Sequence, residues 1–231
     1  MPTIQTLGRT VVVSPHLDDA VFSCGQLLSA YPGATVITVF AGIPADDAPL
    51  PDWDERSGFS SAAQAISVRR DEDRLALTML EARGVWLDYL DAQYGGGATA
   101  RDVTRSLRDL VLDLAPDTLL FPLGLFHGDH ALVHEACRLL LPALPDALLL
   151  AYEDALYRGL PGLVQQRLMA LAQTGWQATP ARFAREGSPQ VKARAVAAYA
   201  SQLRAFGDKG HDDLAAPERC WKVEWVPTDG R

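Results

Sequence analysis

The stretch Thr10-Val11-Val12-Val13-Ser14-Pro15-His16-Leu17-Asp18-Asp19 decides the fold of this chain. Its first four residues form a β-branched apolar run that is typical of a buried strand, and Ser14-Pro15 ends that run. Residues 20–30 then carry apolar side chains at helical spacing, and a second strand signal covers residues 35–40 after the Pro32-Gly33 turn. This order of strand, helix and strand predicts parallel pairing in an α/β fold.

Strand and helix signals continue to alternate along the rest of the chain. Further strands are predicted at residues 85–90, 117–122, 147–152 and 221–225, the last as a short edge strand, and further helices at 68–83, 101–114, 130–141 and 188–206. Residues 41–66 carry prolines and scattered aspartates, so we expect a long loop there that acts as a functional lid. The pattern predicts a Rossmann-like α/β fold with a mostly parallel sheet, helices on both faces and a single domain over residues 1–231.

The composition of the chain argues against several classes of function. The net charge of −8 disfavours nucleic-acid binding, because phosphate backbones are bound mainly by clustered Lys and Arg. The first apolar run, residues 10–13, is too short to cross a membrane, and residues 1–10 lack an apolar run of signal-peptide length, so we expect a cytoplasmic protein with no membrane span. Cys24, Cys137 and Cys220 are odd in number and widely spaced, which predicts reduced, packed thiols. The sequence leaves open whether the protein forms a homo-oligomer.

Two short clusters of imidazole and carboxylate groups lie more than a hundred residues apart. Pro15-His16-Leu17-Asp18-Asp19 follows the first predicted strand, and His127-Gly128-Asp129-His130 follows the strand at residues 117–122. The carboxyl ends of parallel strands meet at one edge of a sheet, where α/β folds place their ligand sites. We therefore expect the two clusters to meet in one site.

Together the clusters can supply the ligands of a catalytic metal site. A catalytic zinc ion typically has three protein ligands and an open position for water, and His16, Asp19 and His130 suit it; iron, cobalt or manganese would accept the same donors. Asp18 lies between two of these residues in sequence and is left to face the water. Asp129 could orient an imidazole, or it could simply cap the following helix.

Each cluster alone also has a purely structural interpretation. A histidine near a strand end is often just hydrogen-bonded, and two aspartates before a helix can serve as an N-cap with a favourable dipole interaction. Two such clusters, each at the end of a predicted strand, favour the metal site.

These motifs resemble those of the PIG-L / LmbE-like N-acetylglucosaminyl deacetylase family. Residues 15–19 look like its His-Pro-Asp-Asp signature, and residues 127–130 look like its second signature, His-x-Asp-His. Weaker similarities are found at Arg70 with Asp73, at Tyr152-Glu153-Asp154, and from Lys192 to Gln202, so the resemblance covers nearly the whole chain. Leu17 and Ala20 stand where many members have proline and glutamate, so one frequent outer carboxylate is missing here.

The resemblance implies a role for each residue of the two clusters. His16, Asp19 and His130 would bind zinc, Asp18 would be the general base, and His127 would stabilise the oxyanion or act as an acid. It also implies one deacetylase domain over residues 1–231, a zinc-dependent hydrolase that removes acetyl from an N-acetylglucosamine-type sugar or sugar conjugate.

Substrate contacts are less defined by the sequence. Arg70, Asp91 and Glu153 lie near predicted element ends and could bond sugar hydroxyls, while Trp53 or Tyr94 could stack on a sugar ring. The expected partner is a small N-acetylated sugar. Two alternatives remain open: a metal-dependent phosphoesterase, which usually needs more carboxylates to hold two metals, and a non-catalytic, sugar-binding relative.

Overall fold

The computed structural model describes residues 3–207 and 211–226. These residues form a single α/β domain around a seven-stranded sheet. The strands are β1 (Thr10–Ser14), β2 (Thr35–Thr38), β3 (Arg83–Trp86), β4 (Thr118–Pro122), β5 (Leu148–Tyr152), β6 (Trp176–Pro180) and β7 (Cys220–Trp225). The helices are α1 (Asp19–Ala30), α2 (Asp52–Arg56), α3 (Ala62–Met79), α4 (Ala100–Leu114), α5 (Gly128–Leu140), α6 (Leu163–Gln173), α7 (Pro189–Ala197) and α8 (Ala200–Phe206).

The strand order across the sheet is β3-β2-β1-β4-β5-β7-β6. Strands β1 to β5 are parallel, whereas β7 runs antiparallel to both β5 and β6. The chain leaves β1 toward β2 on one side and later places β4 on the other side. A parallel sheet opens a crevice at such a reversal, beyond the carboxyl ends of the two central strands. Both imidazole and carboxylate clusters directly follow those strands.

Alternating side chains of the central strands supply two cores, one on each face of the sheet. Val12 and Leu120 pack in a cluster with side chains of α1, α3 and α7, while Val11 and Val13 pack in a second cluster with α4, α5 and α6. Strand residues point alternately to opposite faces, so a short apolar run can supply both cores. Helices therefore cover both faces, as the sequence predicts.

The expectations for the cysteines and for the start of the first two strands are confirmed in the described part of the chain. Cys24, Cys137 and Cys220 are free and buried. None of the helices there combines the length and apolar character that a bilayer span needs. The first two strands begin at the predicted residues, Thr10 and Thr35.

The carboxyl-terminal third of the chain departs most from the prediction. Residues 221–225 were expected to form an edge strand, but β7 pairs on both sides and β6 forms the edge. The expected helix at residues 188–206 is two helices, because the backbone at Tyr199 is not helical (φ −82°, ψ 54°). The buried hydroxyl of Tyr199 donates a hydrogen bond to Asp73 Oδ1 at 2.7 Å. That tertiary hydrogen bond accompanies the break.

The segment at residues 41–66 is more ordered than the expected loop. It contains α2, and α3 already begins at Ala62, six residues before the predicted start. Ser61 caps α3, since its side chain accepts a hydrogen bond from the Gln64 N–H. The strand β6 and helix α6 had no matching prediction.

Leu120→Ala tests the central strand of the sheet. Leu120 is fully buried, so we expect its truncation to lower the free energy of unfolding by about 2–5 kcal/mol through lost burial and a residual cavity. Leu112→Ala on α4 is the matched control, because that side chain is 42% exposed and should change stability by about 0.5 kcal/mol or less. Equal losses for the two variants in chemical denaturation would contradict this packing.

Candidate metal centre and active site

The loop after β1 is held by short-range hydrogen bonds. The Ser14 hydroxyl donates to the His16 carbonyl at 2.8 Å and accepts from the Ala20 N–H at 3.0 Å. The His16 N–H donates to Asp19 Oδ2 at 2.8 Å. Between them, Asp18 has φ +149°, a conformation that residues other than glycine rarely adopt. Such strain is often found where a side chain must face a site.

The loop after β4 is held by a carboxylate from a neighbouring strand. Asp154 follows β5, and its Oδ2 accepts the N–H groups of Gly124 at 2.9 Å and Leu125 at 3.0 Å. Helix α5 then begins at Gly128, with His127 at the N-cap accepting the Asp129 N–H through Nδ1 at 3.3 Å. The second cluster is therefore presented by a helix start and by β5 together.

The two clusters meet at the carboxylate of Asp19. Its Oδ2 lies 3.1 Å from His16 Nδ1 and 3.2 Å from His130 Nε2. One ligand atom from each of these three residues lies within 4.8 Å of the others. Neighbouring ligands of a tetrahedral ion with bonds of about 2.1 Å lie about 3.4 Å apart. The spacing of these donor atoms therefore fits a divalent transition-metal ion.

Each imidazole of this triad also contacts a second carboxylate. His130 Nδ1 lies 2.7 Å from Asp154 Oδ1, in a fully buried pair. His16 Nε2 lies 3.1 Å from Asp129 Oδ2 and 3.6 Å from Asp91 Oδ2. Outer carboxylates of this kind set the orientation and tautomer of metal-binding histidines.

The charges of the cluster favour a bound cation. Burial lowers the pKa of His16, but hydrogen bonds with Asp129 and Asp19 outweigh burial and raise the pKa well above its ordinary value. Burial likewise opposes the charge on His130, yet Asp19 and Asp154 raise its pKa to about 9. Burial acts against ionisation of Asp19 as well, but His130 and His16 hold its pKa well below the usual range. The carboxylates thus stabilise positive charge among them.

Asp18 and His127 border the cavity beside the triad. Burial, followed by the neighbouring Asp19 carboxylate, raises the pKa of Asp18 well above its ordinary value. His127 is half-buried, and its ring centroid lies 5.2 Å from that of His16 and 5.4 Å from that of His130. Burial and the nearby imidazoles lower the pKa of His127. His127, His16 and Asp129 form a second group of donor atoms that shares His16 with the first.

A cavity of about 380 Å³ opens directly over the triad. Its wall combines the site residues with apolar and aromatic side chains, including Phe22, Phe40, Ile66 and Tyr157. The segment at residues 41–66 contributes Trp53 from α2, whose Nε1 donates to Gln202 Oε1 on α8 at 2.8 Å. Part of the predicted lid is therefore a wall of the cavity.

Of the three candidates for bonding sugar hydroxyls, Arg70, Asp91 and Glu153, only Asp91 borders the cavity. Arg70 does not: its guanidinium donates to the Ala41 carbonyl and to Asp88 Oδ1. Glu153 is buried away from the cavity, where it accepts from Trp221 Nε1 at 3.0 Å and pairs with Arg219 at 2.8 Å. Alternation at the end of β5 turns Asp154, and not Glu153, toward the site.

The neighbours of these candidates include residues that sequence reasoning missed. Arg69 lines the cavity in place of Arg70, and its Nη2 pairs with Asp54 Oδ1 at 2.7 Å, both side chains being buried. Tyr94 donates to Asp54 Oδ2 at 2.6 Å and is tied into that pair. Asp154 and Tyr157 were also missed as site residues, although the tripeptide at residues 152–154 indicated the correct segment.

Comparisons with known proteins agree with this geometry. The GlcNAc-PI de-N-acetylase family, PIG-L, matches residues 11–141, a span that contains both clusters. The 2'-N-acetylparomamine deacetylase of Streptomyces fradiae is 35% identical over 176 residues, which are 66% of this chain and 58% of that protein. The match thus spans less than two thirds of the relative's own length.

Solved structures share the fold over almost the whole chain. The A40926 pseudoaglycone deacetylase has a TM-score of 0.73 at 25% identity and covers 96% of this chain and 99% of its own. A zinc-inhibited form of teicoplanin deacetylase has a TM-score of 0.75 at 21% identity and covers 96% and 100%. With a family match across more than half of its length that includes both clusters, this chain belongs to the GlcNAc-PI de-N-acetylase (PIG-L) family.

Proposed function

We propose that this protein is a metal-dependent amidohydrolase that removes the acetyl group from an N-acetylglucosamine-type sugar or sugar conjugate. The convergence of His16, Asp19 and His130 on one point, with Asp18 beside them under a cavity, carries the proposal. The deacetylase names of the relatives support it. We expect the enzyme to act in the cytoplasm, where buried free thiols such as those of this chain stay reduced.

The proposed ligands of the ion are His16, Asp19 and His130. Two nitrogen donors and one carboxylate suit Zn²⁺, and the same set accepts Fe²⁺, Co²⁺ or Mn²⁺. When bound, such an ion supplies Lewis acidity, which polarises an amide carbonyl and makes water acidic enough to react near neutral pH. Asp154 and Asp129 hold the two imidazoles in place by hydrogen bonds.

Asp18 is the proposed general base. Its carboxylate borders the cavity but is not one of the three ligands, so it is free to accept the proton of the attacking water. The strained backbone of Asp18 fixes its side chain beside Asp19. Because the base is already oriented, the reaction does not have to include the entropic cost of positioning it.

His127 is proposed to act on the other reacting atoms. Its half-buried imidazole lies across from His16 and can donate a hydrogen bond to the oxygen that gains negative charge. The departing amine nitrogen then needs a proton, which either Asp18, protonated by the attacking water, or His127 in its imidazolium form can deliver. Asp129 is a positioning residue, and it lies closer to His16 (3.1 Å) than to His127 (3.9 Å). Asp91 is the proposed acceptor for a sugar hydroxyl.

A phosphoesterase fits these residues less well. Two-metal phosphoesterases usually need more carboxylates, whereas within residues 3–207 and 211–226 the two groups of candidate ligands share His16 and contain only Asp19 and Asp129 as carboxylates. The Asp91 carboxylate, which lines the cavity, would also repel a phosphate group.

Acetate release tests the proposed reaction directly. N-acetylglucosamine and 2'-N-acetylparomamine are incubated with the protein before and after chelation, and with graded Zn²⁺, because a related deacetylase is described in a zinc-inhibited form. We expect acetate from at least one substrate, loss on chelation and recovery on adding metal. Metal-bound protein that releases no acetate from a panel of N-acetylated sugars would contradict the proposal and favour a binding role.

Asp18→Asn separates catalysis from metal binding. The amide keeps the shape of the side chain, but it cannot accept the proton. We expect stoichiometric metal and a fall in kcat of about 10²- to 10⁴-fold, measured by acetate release and elemental analysis. His130→Ala is the contrasting variant and should lose both metal and activity. Wild-type kcat in Asp18→Asn would assign the base to another group, and full metal in His130→Ala would remove His130 from the ligand set.

Asp154→Asn tests the outer carboxylate. The variant loses the charge next to His130 Nδ1, so we expect the dissociation constant of the metal to rise about 10- to 100-fold in chelator competition. Glu153→Gln is the matched control: it changes the adjacent carboxylate, which faces Trp221 and Arg219 instead, and should bind metal as the wild type does. Equal effects of the two substitutions would indicate a structural role for Asp154.

A further inference from the structure

Phe126 is the most exposed large apolar side chain among the described residues. It is 71% exposed, and its backbone has φ +60°, the left-handed conformation that bulky residues rarely adopt. It immediately precedes His127. A large ring held in water at a strained position adds nothing to the core, so its placement needs another explanation.

The turn that carries Phe126 is tied to the metal centre. Asp154 Oδ2 accepts the N–H groups of Gly124 and Leu125, while its Oδ1 faces His130 Nδ1. The His127 N–H donates to the Leu125 carbonyl at 2.7 Å. The turn that leads to Phe126 is therefore held by the same carboxylate that faces a proposed metal ligand.

Tyr157 links Phe126 to the cavity. The two rings are stacked, with centroids 5.3 Å apart and planes 26° apart. Tyr157 lines the cavity and packs edge-on against His130, with 5.4 Å between their ring centroids. A continuous row of rings thus runs from the triad to the protein surface.

The volume of the cavity limits how much of a substrate it can enclose. A volume of about 380 Å³ lies near the lower end of the range for small-ligand pockets. It suits one acetamido sugar over the triad, so anything attached to that sugar must lie at the rim. Flat aromatic faces offer rigid apolar contact area that fits the face of another ring.

We propose that Phe126 and Tyr157 form a platform that binds a second ring attached to the acetylated sugar: another sugar, a cyclitol or an aryl group. This inference rests on the proposed deacetylase function. The platform makes two-ring conjugates better substrates than the free monosaccharide.

The test compares two substrates in four proteins. The ratio of kcat/KM for 2'-N-acetylparomamine, which has a second ring, to kcat/KM for N-acetylglucosamine is measured for the wild type, Phe126→Ala, Phe126→Tyr and Met169→Ala. We expect Phe126→Ala to lower the ratio by about fivefold, as for loss of an aromatic contact, and Phe126→Tyr to retain it. Met169 is 63% exposed on α6 and does not line the cavity, so Met169→Ala controls for loss of an exposed apolar side chain.

The outcomes separate the platform from the proposed reaction. An unchanged ratio in Phe126→Ala overturns the platform and leaves the deacetylase intact; if its oligomeric state changes at the same time, Phe126 belongs to a contact between copies of this chain. If the wild type releases no acetate, the proposed reaction fails. Calorimetry with phenyl β-D-glucosaminide then decides: weaker binding to Phe126→Ala supports the platform, and equal binding overturns it.

Discussion

One carboxylate oxygen, Oδ2 of Asp19, joins the two halves of the site. It accepts the His16 N–H of its own loop and faces both His16 Nδ1 and His130 Nε2, although His130 is 111 residues away in sequence. This contact exists only because β1 and β4 are adjacent and parallel, so that the loops after them open into one crevice. The packing of helices on both faces of the sheet keeps β1 and β4 next to each other.

Carboxylates behind the triad determine how it is held. Asp154 contacts His130 and, through its other oxygen, fixes the turn after β4, while Asp129 faces His16. Two buried imidazoles surrounded by this much negative charge are stable only when a cation or protons balance it. The carboxylates therefore favour positive charge at the triad, whether it is carried by protons or by a bound metal ion.

Strained backbone is found in both loops that form the site. Asp18 and Phe126 both have positive φ; Asp18 lines the cavity, and Phe126 stacks on Tyr157, which lines it too. Helix starts and strand ends fix the residues next to them, so the local cost is borne by well-packed elements. A side chain at such a position has little freedom to leave the direction that its backbone sets.

The sequence by itself determined the architecture and the residues that meet at the candidate site. The apolar runs at residues 10–13 and 117–122 located the central strands, and the residues that follow them located the triad and Asp18. It did not show that Asp154 rather than Glu153, and Arg69 rather than Arg70, lies at the site. It also did not predict the break between the two helices at Tyr199. The reason is that hydrophobic periodicity reports which segments are buried, whereas the direction of a single side chain at an element's end depends on distant partners. Only the tertiary structure decided that Asp154 faces the site, and only it brought Phe126 and Tyr157 together.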